Sequence, residues 1–150
     1  MAFKHILVPV DFSEYSDAAM KVAVNLAKKL DSQILALHVC PDLQSKAQDY
    51  WVGYLISIQA EIKAQENIEK KIRKKLEEYV GHFQEKYPHI TLELRRGQTG
   101  EEILEIAKGK KFDLIVMGTH GRSSLLHLAM GSTTEQIIRN APCPVLTVRA

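Results

Sequence analysis

Five short apolar runs, separated by segments whose apolar residues recur at helical spacing, constrain this chain more than any other feature of its sequence. Phe3 to Val10 is rich in Ile, Leu and Val and is bounded by Pro9 and Asp11, the pattern of a strand buried on both faces. Ser13 or Ser16 caps a following helix, and its stripe of Ala19, Val22, Ala23, Leu26, Ala27 and Leu30 lies on the sheet. Gln33 to Val39 is a second buried run, closed by Cys40-Pro41 because proline lacks an amide donor. Thr91 to Arg95 alternates Leu92 and Leu94 with polar residues, as an edge strand with one wet face does. Thr99 and Glu102 form the outline of a capping box that opens a helix carrying Ile103, Ile106 and Ala107. Phe112 to Met117 and Val145 to Val148 are the last two strands, with a helix over about 132–140 between them.

Strands that alternate with helices require right-handed crossovers and a parallel sheet covered on both faces. The expected fold is therefore a doubly wound α/β domain. At 150 residues, with no internal repeat and no low-complexity linker, one domain over 1–150 is expected. The segment from Asp42 to Tyr87 is too long for one helix inside such a domain, although Trp51, Leu55, Ile58, Ile62, Ile68, Ile72, Leu76, Val80 and Phe83 keep helical spacing. A loop or short helix over roughly 42–60, followed by a long helix to about 87 that Pro88 stops, resolves the conflict. Gln65 interrupts the stripe. The run Lys70-Lys71-Ile72-Arg73-Lys74-Lys75 reads as a solvated helix face, because Glu66, Glu69, Glu77 and Glu78 interleave with it.

A net charge of +2, from 20 basic and 18 acidic residues, gives no field that would hold nucleic acid. No stretch approaches the roughly 20 apolar residues of a membrane span, and the amino terminus has too short an apolar run for a signal peptide. A cytoplasmic protein is expected, with Cys40 and Cys143 reduced and outside any metal-ligand spacing.

Chemistry concentrates after the fourth strand, in Gly118 to Glu135. Gly118, Gly121 and Gly131 allow positive φ and close approach of backbone amides to a ligand. The first turn after Gly131 offers unpaired amides with the helix dipole behind them. Ser132, Thr133 and Thr134 add hydroxyls and Arg122 adds a fixed cation. These suit a polyphosphate. The structural alternative is that the glycines serve tight turns and that Ser132 with Glu135 is a capping box. The chain has neither the GxxxxGK[ST] of P-loop proteins nor a GxGxxG after the first strand, which counts against NAD or FAD.

A Gly, two residues, a Gly, nine residues and then Gly-Ser resembles the ATP-binding signature of the universal stress protein family, and Gly118, Gly121, Gly131 and Ser132 fill it. Ile6-Leu7-Val8-Pro9-Val10-Asp11-Phe12-Ser13 resembles that family's first strand and aspartate, Leu37-His38-Val39 its second strand, and Cys143-Pro144-Val145-Leu146-Thr147-Val148 its last. The resemblance implies five parallel strands in the order 3-2-1-4-5, with a topological switch between strands one and four, where ligands of open α/β sheets bind. It further implies that Pro9, Val10, Asp11 and Val39 hold adenine and ribose. Met117, Gly118, His120, Gly121, Gly131, Ser132, Thr133 and Thr134 would surround ribose and phosphates. Arg122 joins them by charge alone. Asp11 either caps a helix or meets ribose or a metal-bound water, His38 and His120 read as packing or hydrogen-bonding residues, and Mg²⁺, where present, rides on the phosphates.

The implied role is a nucleotide-dependent regulatory module in the stress response. The alternative is a slow ATPase or autophosphorylating enzyme with Ser123, Ser124 or Thr133 as acceptor. No general base or Lys-plus-Asp metal arrangement is recognisable. The last strand would be an apolar edge, and the resemblance implies a homodimer that pairs it through residues 144–149.

Overall fold

The computed structural model describes residues 2–40, 52–121 and 130–150, with side chains from 59 onward in its second helix. Elements follow in the order β1 (His5–Pro9), α1 (Glu14–Leu30), β2 (Gln33–Cys40), α2 (Val52–Gln84), β3 (Ile90–Arg96), α3 (Thr99–Gly109), β4 (Leu114–Gly118), α4 (Ser132–Asn140) and β5 (Val145–Val148). The sheet is five-stranded and parallel in the order β3-β2-β1-β4-β5, as expected.

The apolar runs are continuous because both faces of the sheet are covered. Ile6, Val8, Leu114 and Val116 point into one core with Ala19, Met20 and Ala23 of α1 and Leu76, Val80 and Phe83 of α2. Their neighbours Leu7, Ile115 and Met117 point into the other, with Ile103 and Ile106 of α3 and Ile137 of α4. The period of two along each strand thus divides one apolar run between two cores. Asp113 ties the start of the sheet together: its Oδ2 accepts from the amides of Lys4 at 2.9 Å and His5 at 2.8 Å.

Two expectations need correction. From Val52 onward the long segment is one helix of 33 residues and roughly 50 Å, so no break falls near 60; the part of the expected loop or short helix over 42–51 lies outside the described residues. Among its described side chains the apolar core contacts are Leu76, Val80 and Phe83 in the last third, while Ile62 and Ile68 are exposed. Gln65, which breaks the apolar stripe, is nevertheless buried, and its amide donates to Glu69 at 3.3 Å. Trp51 lies outside the described residues. The helix stops at Gln84, and the Tyr87 hydroxyl beyond it donates to the carbonyls of Ser32 and Ala27. None of the described helices is long and apolar enough to cross a membrane.

The second correction concerns α3. Its N-cap is Gln98, with no side-chain hydrogen bond, so Thr99 is the first helical residue and no capping box forms. Glu102 is drawn instead toward Arg95, 3.4 Å away, which also holds Glu93 at 3.0 Å and Glu105 at 3.6 Å. Burial pushes the Glu93 carboxyl up, but the Lys110 and Arg95 bonds outweigh it and leave it below its ordinary value. These charges line β3, an edge strand, where they discourage pairing with another sheet.

Candidate functional site

Because all five strands are parallel, every strand-to-helix loop opens at one end of the sheet, and the neighbours β1 and β4 leave toward opposite faces there. After β1, Asp11 and Ser13 build the start of α1. The Asp11 Oδ1 accepts from the Ser13 amide at 3.0 Å and from its hydroxyl, and the Ser13 hydroxyl accepts from the Ser16 amide at 3.2 Å. Ser13, not Ser16, is therefore the cap, and Asp11 supports it. Phe12 between them has φ of +64°, a left-handed conformation that is uncommon for an aromatic residue. Its ring is held 4.8 Å from that of His38, edge-on to Tyr79 at 5.8 Å, and under the Lys75 ammonium at 4.4 Å. Burial and the nearby Asp17 carboxylate push the Tyr79 phenol well above its usual range, so that it stays neutral.

After β4, the glycines matter for reasons other than those expected. Among the described residues Gly97 is the one glycine with positive φ, so Gly118 and Gly121 do not take it; Gly131 has φ of −69° and ψ of 154°. Gly118 is required by packing, since a Cβ there would stand 2.6 Å from the Tyr15 Cβ and 2.9 Å from its carbonyl carbon. A Cβ on Gly121 would stand 2.9 Å from Asp11 Oδ2, so the aspartate of the β1 loop and the backbone of the β4 loop meet across the switch.

Gly131 is the N-cap of α4 and supplies no side chain, so Ser132 and Glu135 make no capping box. The Gly131 amide donates to the Thr119 carbonyl at 2.7 Å, which fixes the start of α4 against the end of β4. Ser132 is exposed and Thr133 half-buried in the first turn. The first-turn amides of a helix lack intrahelical partners and carry the positive end of its dipole. An anion can meet amides here without first displacing a capping side chain.

The remaining candidates divide into wall and frame. Pro9, Val39 and His120 are half-buried at the same end of the sheet. Val10 and Met117 are buried at 3% and 5% exposure, and Val10 has both backbone groups engaged, its amide with Leu37 and its carbonyl with His38 Nδ1 at 2.6 Å. Thr134 is buried and its hydroxyl donates to the Gly118 carbonyl, so it joins two elements rather than facing a ligand. Arg122, Ser123 and Ser124 lie outside the described residues. Among the described residues, no group of three or more His, Cys, Asp or Glu is placed to hold a metal ion.

Sequence reasoning passed over Tyr15, Thr119 and Arg149, which with His120 and Ala150 line a cavity of about 350 Å³ beside the crevice. The signal lay in the topology, because in a parallel sheet the residue after β5 must arrive beside the residues after β4.

A model of the universal stress protein family matches residues 2–149. The chain is 38% identical over 150 residues to universal stress protein MJ0531 of Methanocaldococcus jannaschii, covering 98% of this chain and 82% of that one. Universal stress protein MJ0577 of the same organism is 30% identical over 158 residues, with 98% and 95% covered. The solved structure of MJ0577 superimposes with a TM-score of 0.84 at 26% identity, over 100% of this chain and 98% of that one. Two more distant structures share the fold: a universal stress protein in complex with cAMP (TM-score 0.61, 19% identity, 99% and 98% covered) and an Arabidopsis thaliana family protein with AMP bound (0.62, 16%, 97% and 91%).

Proposed function

The chain belongs to the universal stress protein family, and from that premise we propose that it binds an adenine nucleotide, ATP, and acts as a nucleotide-dependent regulatory module. The observation that carries the reading is the meeting of Asp11 Oδ2 with the Gly121 backbone across the β1–β4 switch, beside a helix start whose cap, Gly131, has no side chain. A carboxylate suits ribose hydroxyls and first-turn amides suit phosphate, so the two halves of a nucleotide find complementary groups in one crevice. Two proteins of this fold carry AMP and cAMP, which supports the same ligand class here.

In this reading Asp11 holds ribose, with Pro9, Val10 and Val39 beside the adenine. Gly121, Ser132 and Thr133 take the phosphates, His120 lies alongside them, and Met117, Gly118, Gly131 and Thr134 hold the frame. Mg²⁺ sits on the phosphates with most of its waters, since a lone carboxylate makes a poor cage. Binding stabilises the liganded form, and a partner that distinguishes it from the free form reads the difference, for which differential affinity suffices without turnover. The β5 edge pairs with that of a second copy to give a homodimer.

The test is to purify the protein without added nucleotide, denature it, and resolve the released small molecules by anion exchange beside Gly131→Val. At φ −69° and ψ 154° valine fits the backbone, while its side chain stands at the first-turn amides. ATP carried by the wild type and missing from the variant is expected. A wild type that neither carries nor binds any adenine nucleotide overturns the reading.

A further inference from the structure

The two residues that flank Asp11 are held by one side chain. His38 Nδ1 lies 2.6 Å from the Val10 carbonyl, and the His38 ring stands 4.8 Å from that of Phe12. A carbonyl only accepts, so Nδ1 carries the proton and the imidazole is the donor. His38 is half-buried on β2, and the nucleotide reading gives it no part. Asp11, between the residues it holds, accepts the Ser13 amide on Oδ1 and turns Oδ2 toward the Gly121 backbone. Phe12 takes φ of +64°, a conformation that persists only where surrounding contacts hold it, and its ring is packed by His38 and Tyr79.

The ladder between β1 and β2 shows what the imidazole displaces. The strands are paired as far as Pro9 and Leu37, and the last rung is the Val10 amide on the Leu37 carbonyl at 2.8 Å. Backbone groups of alternate residues face the same side of a strand, so the next rung would run from the Val39 amide to the Val10 carbonyl. His38 Nδ1 holds that carbonyl instead. The ladder ends one rung early, and the half-buried Val39 presents its amide and carbonyl to the gap beyond Leu37. We propose that His38 is a positioning residue of the nucleotide crevice: its bond to Val10 and its contact with Phe12 set Asp11 for the ribose and keep β1 off the Val39 backbone, beside which the base lies. It acts through those neighbours rather than on the ligand. The proposal rests on the nucleotide reading above and deepens it, by naming the side chain that makes the end of β1 a ligand wall rather than one more rung of sheet.

Titration calorimetry with AMP and ATP compares the wild type with His38→Asn and His38→Leu, below the temperature at which any of the three begins to unfold. Asparagine places an amide nitrogen near the position of Nδ1 and can donate to Val10, whereas leucine is similar in size and cannot. His38→Leu weakens AMP and ATP by the same factor, about tenfold, the scale of one hydrogen bond, because base and ribose are common to both. His38→Asn recovers most of that loss. Where His38→Leu does not fold, His38→Gln replaces it: its amide nitrogen reaches the position of Nε2, and it binds as weakly. A leucine or glutamine variant that binds like the wild type, an asparagine variant that binds no better than they do, or a loss confined to ATP overturns the positioning role while the nucleotide reading stands. A wild type that binds neither nucleotide overturns both.

Discussion

The hydroxyl of Thr134 donates to the carbonyl of Gly118 at 2.9 Å, a buried bond between the first turn of α4 and the last residue of β4. Ser132, two residues earlier, is exposed. Replacing Thr134 with Val leaves a buried carbonyl without its partner, which costs about 1–3 kcal/mol, whereas Ser132→Ala removes an exposed hydroxyl and leaves stability within about 0.5 kcal/mol. Urea midpoints separate the two, and nucleotide affinity should separate them in the opposite sense. Equal stability loss in both variants would show that Thr134 is not a framing residue.

Gly118 and Gly131 part company in the same way. A Cβ on Gly118 runs into the backbone and Cβ of Tyr15, and inserting atoms into a packed contact costs about 1–3 kcal/mol. Gly118→Val is therefore a folding mutant before it is a binding mutant, and its thermal midpoint falls well below that of Gly131→Val. A Gly118→Val protein as stable as the wild type would mean that α1 can move off β4 at little cost.

Phe12 reverses the usual order of alanine and glycine. Its φ of +64° opposes any residue with a Cβ by about 1 kcal/mol, and its ring contacts with His38, Tyr79 and Lys75 offset that strain. Alanine keeps the strain and loses the contacts, while glycine loses both. Phe12→Gly should therefore be the more stable of the two variants by about 1 kcal/mol in denaturant titrations, and the opposite order would place the strain elsewhere.

These residues also mark where the sequence was legible. Strand and helix order follow from periodicities that neighbouring residues impose, the sheet order 3-2-1-4-5 came from the family resemblance, and the cap was narrowed to Ser13 or Ser16, of which the structure uses Ser13. The Thr99 capping box failed because Arg95, which arrives from another element, recruits Glu102. The continuous helix from Val52 was missed because a length argument assumed that a helix must stay within the domain's diameter, while among the described side chains of α2 the buried apolar ones, Leu76, Val80 and Phe83, lie in its last third. Glycines in the β4 loop do not take the positive φ expected of them. They answer to Tyr15 and Asp11, which approach from α1 and the β1 loop, and no local pattern displays such an approach.

Asp113 gives the fold a pH signature. The His5 and Lys4 amides, against the opposing effect of burial, hold its carboxyl below the ordinary carboxylate value, with His5 Nδ1 3.4 Å away. A depressed folded pKa contributes stability above the unfolded value of about 3.9 and loses it as pH falls through the folded pKa. Asp113→Asn should thus be less stable than the wild type at neutral pH, and the gap should close at pH values below about 4. A gap that stayed constant from neutral pH to acid would show that the carboxylate charge is not what ties the amides of β1.

The dimer prediction turns on which way the β5 backbone faces. The Ile115 amide donates to the Pro144 carbonyl and the Thr119 amide to the Val148 carbonyl, and Leu146 lies opposite Val116 in the register. In a strand the carbonyl and amide of one residue point to the same side and alternate along the chain, so residues 144, 146 and 148 bond to β4 while 145 and 147 face the open edge. Leu146→Pro would therefore break the β4–β5 ladder itself, and a monomer obtained that way would say little about the interface. Thr147→Pro removes an outward amide, a position that an edge strand tolerates, and blocks main-chain pairing with a second copy. Light scattering should find the wild type dimeric and Thr147→Pro monomeric with its circular dichroism unchanged. A Thr147→Pro protein that remained a dimer would move the interface away from β5.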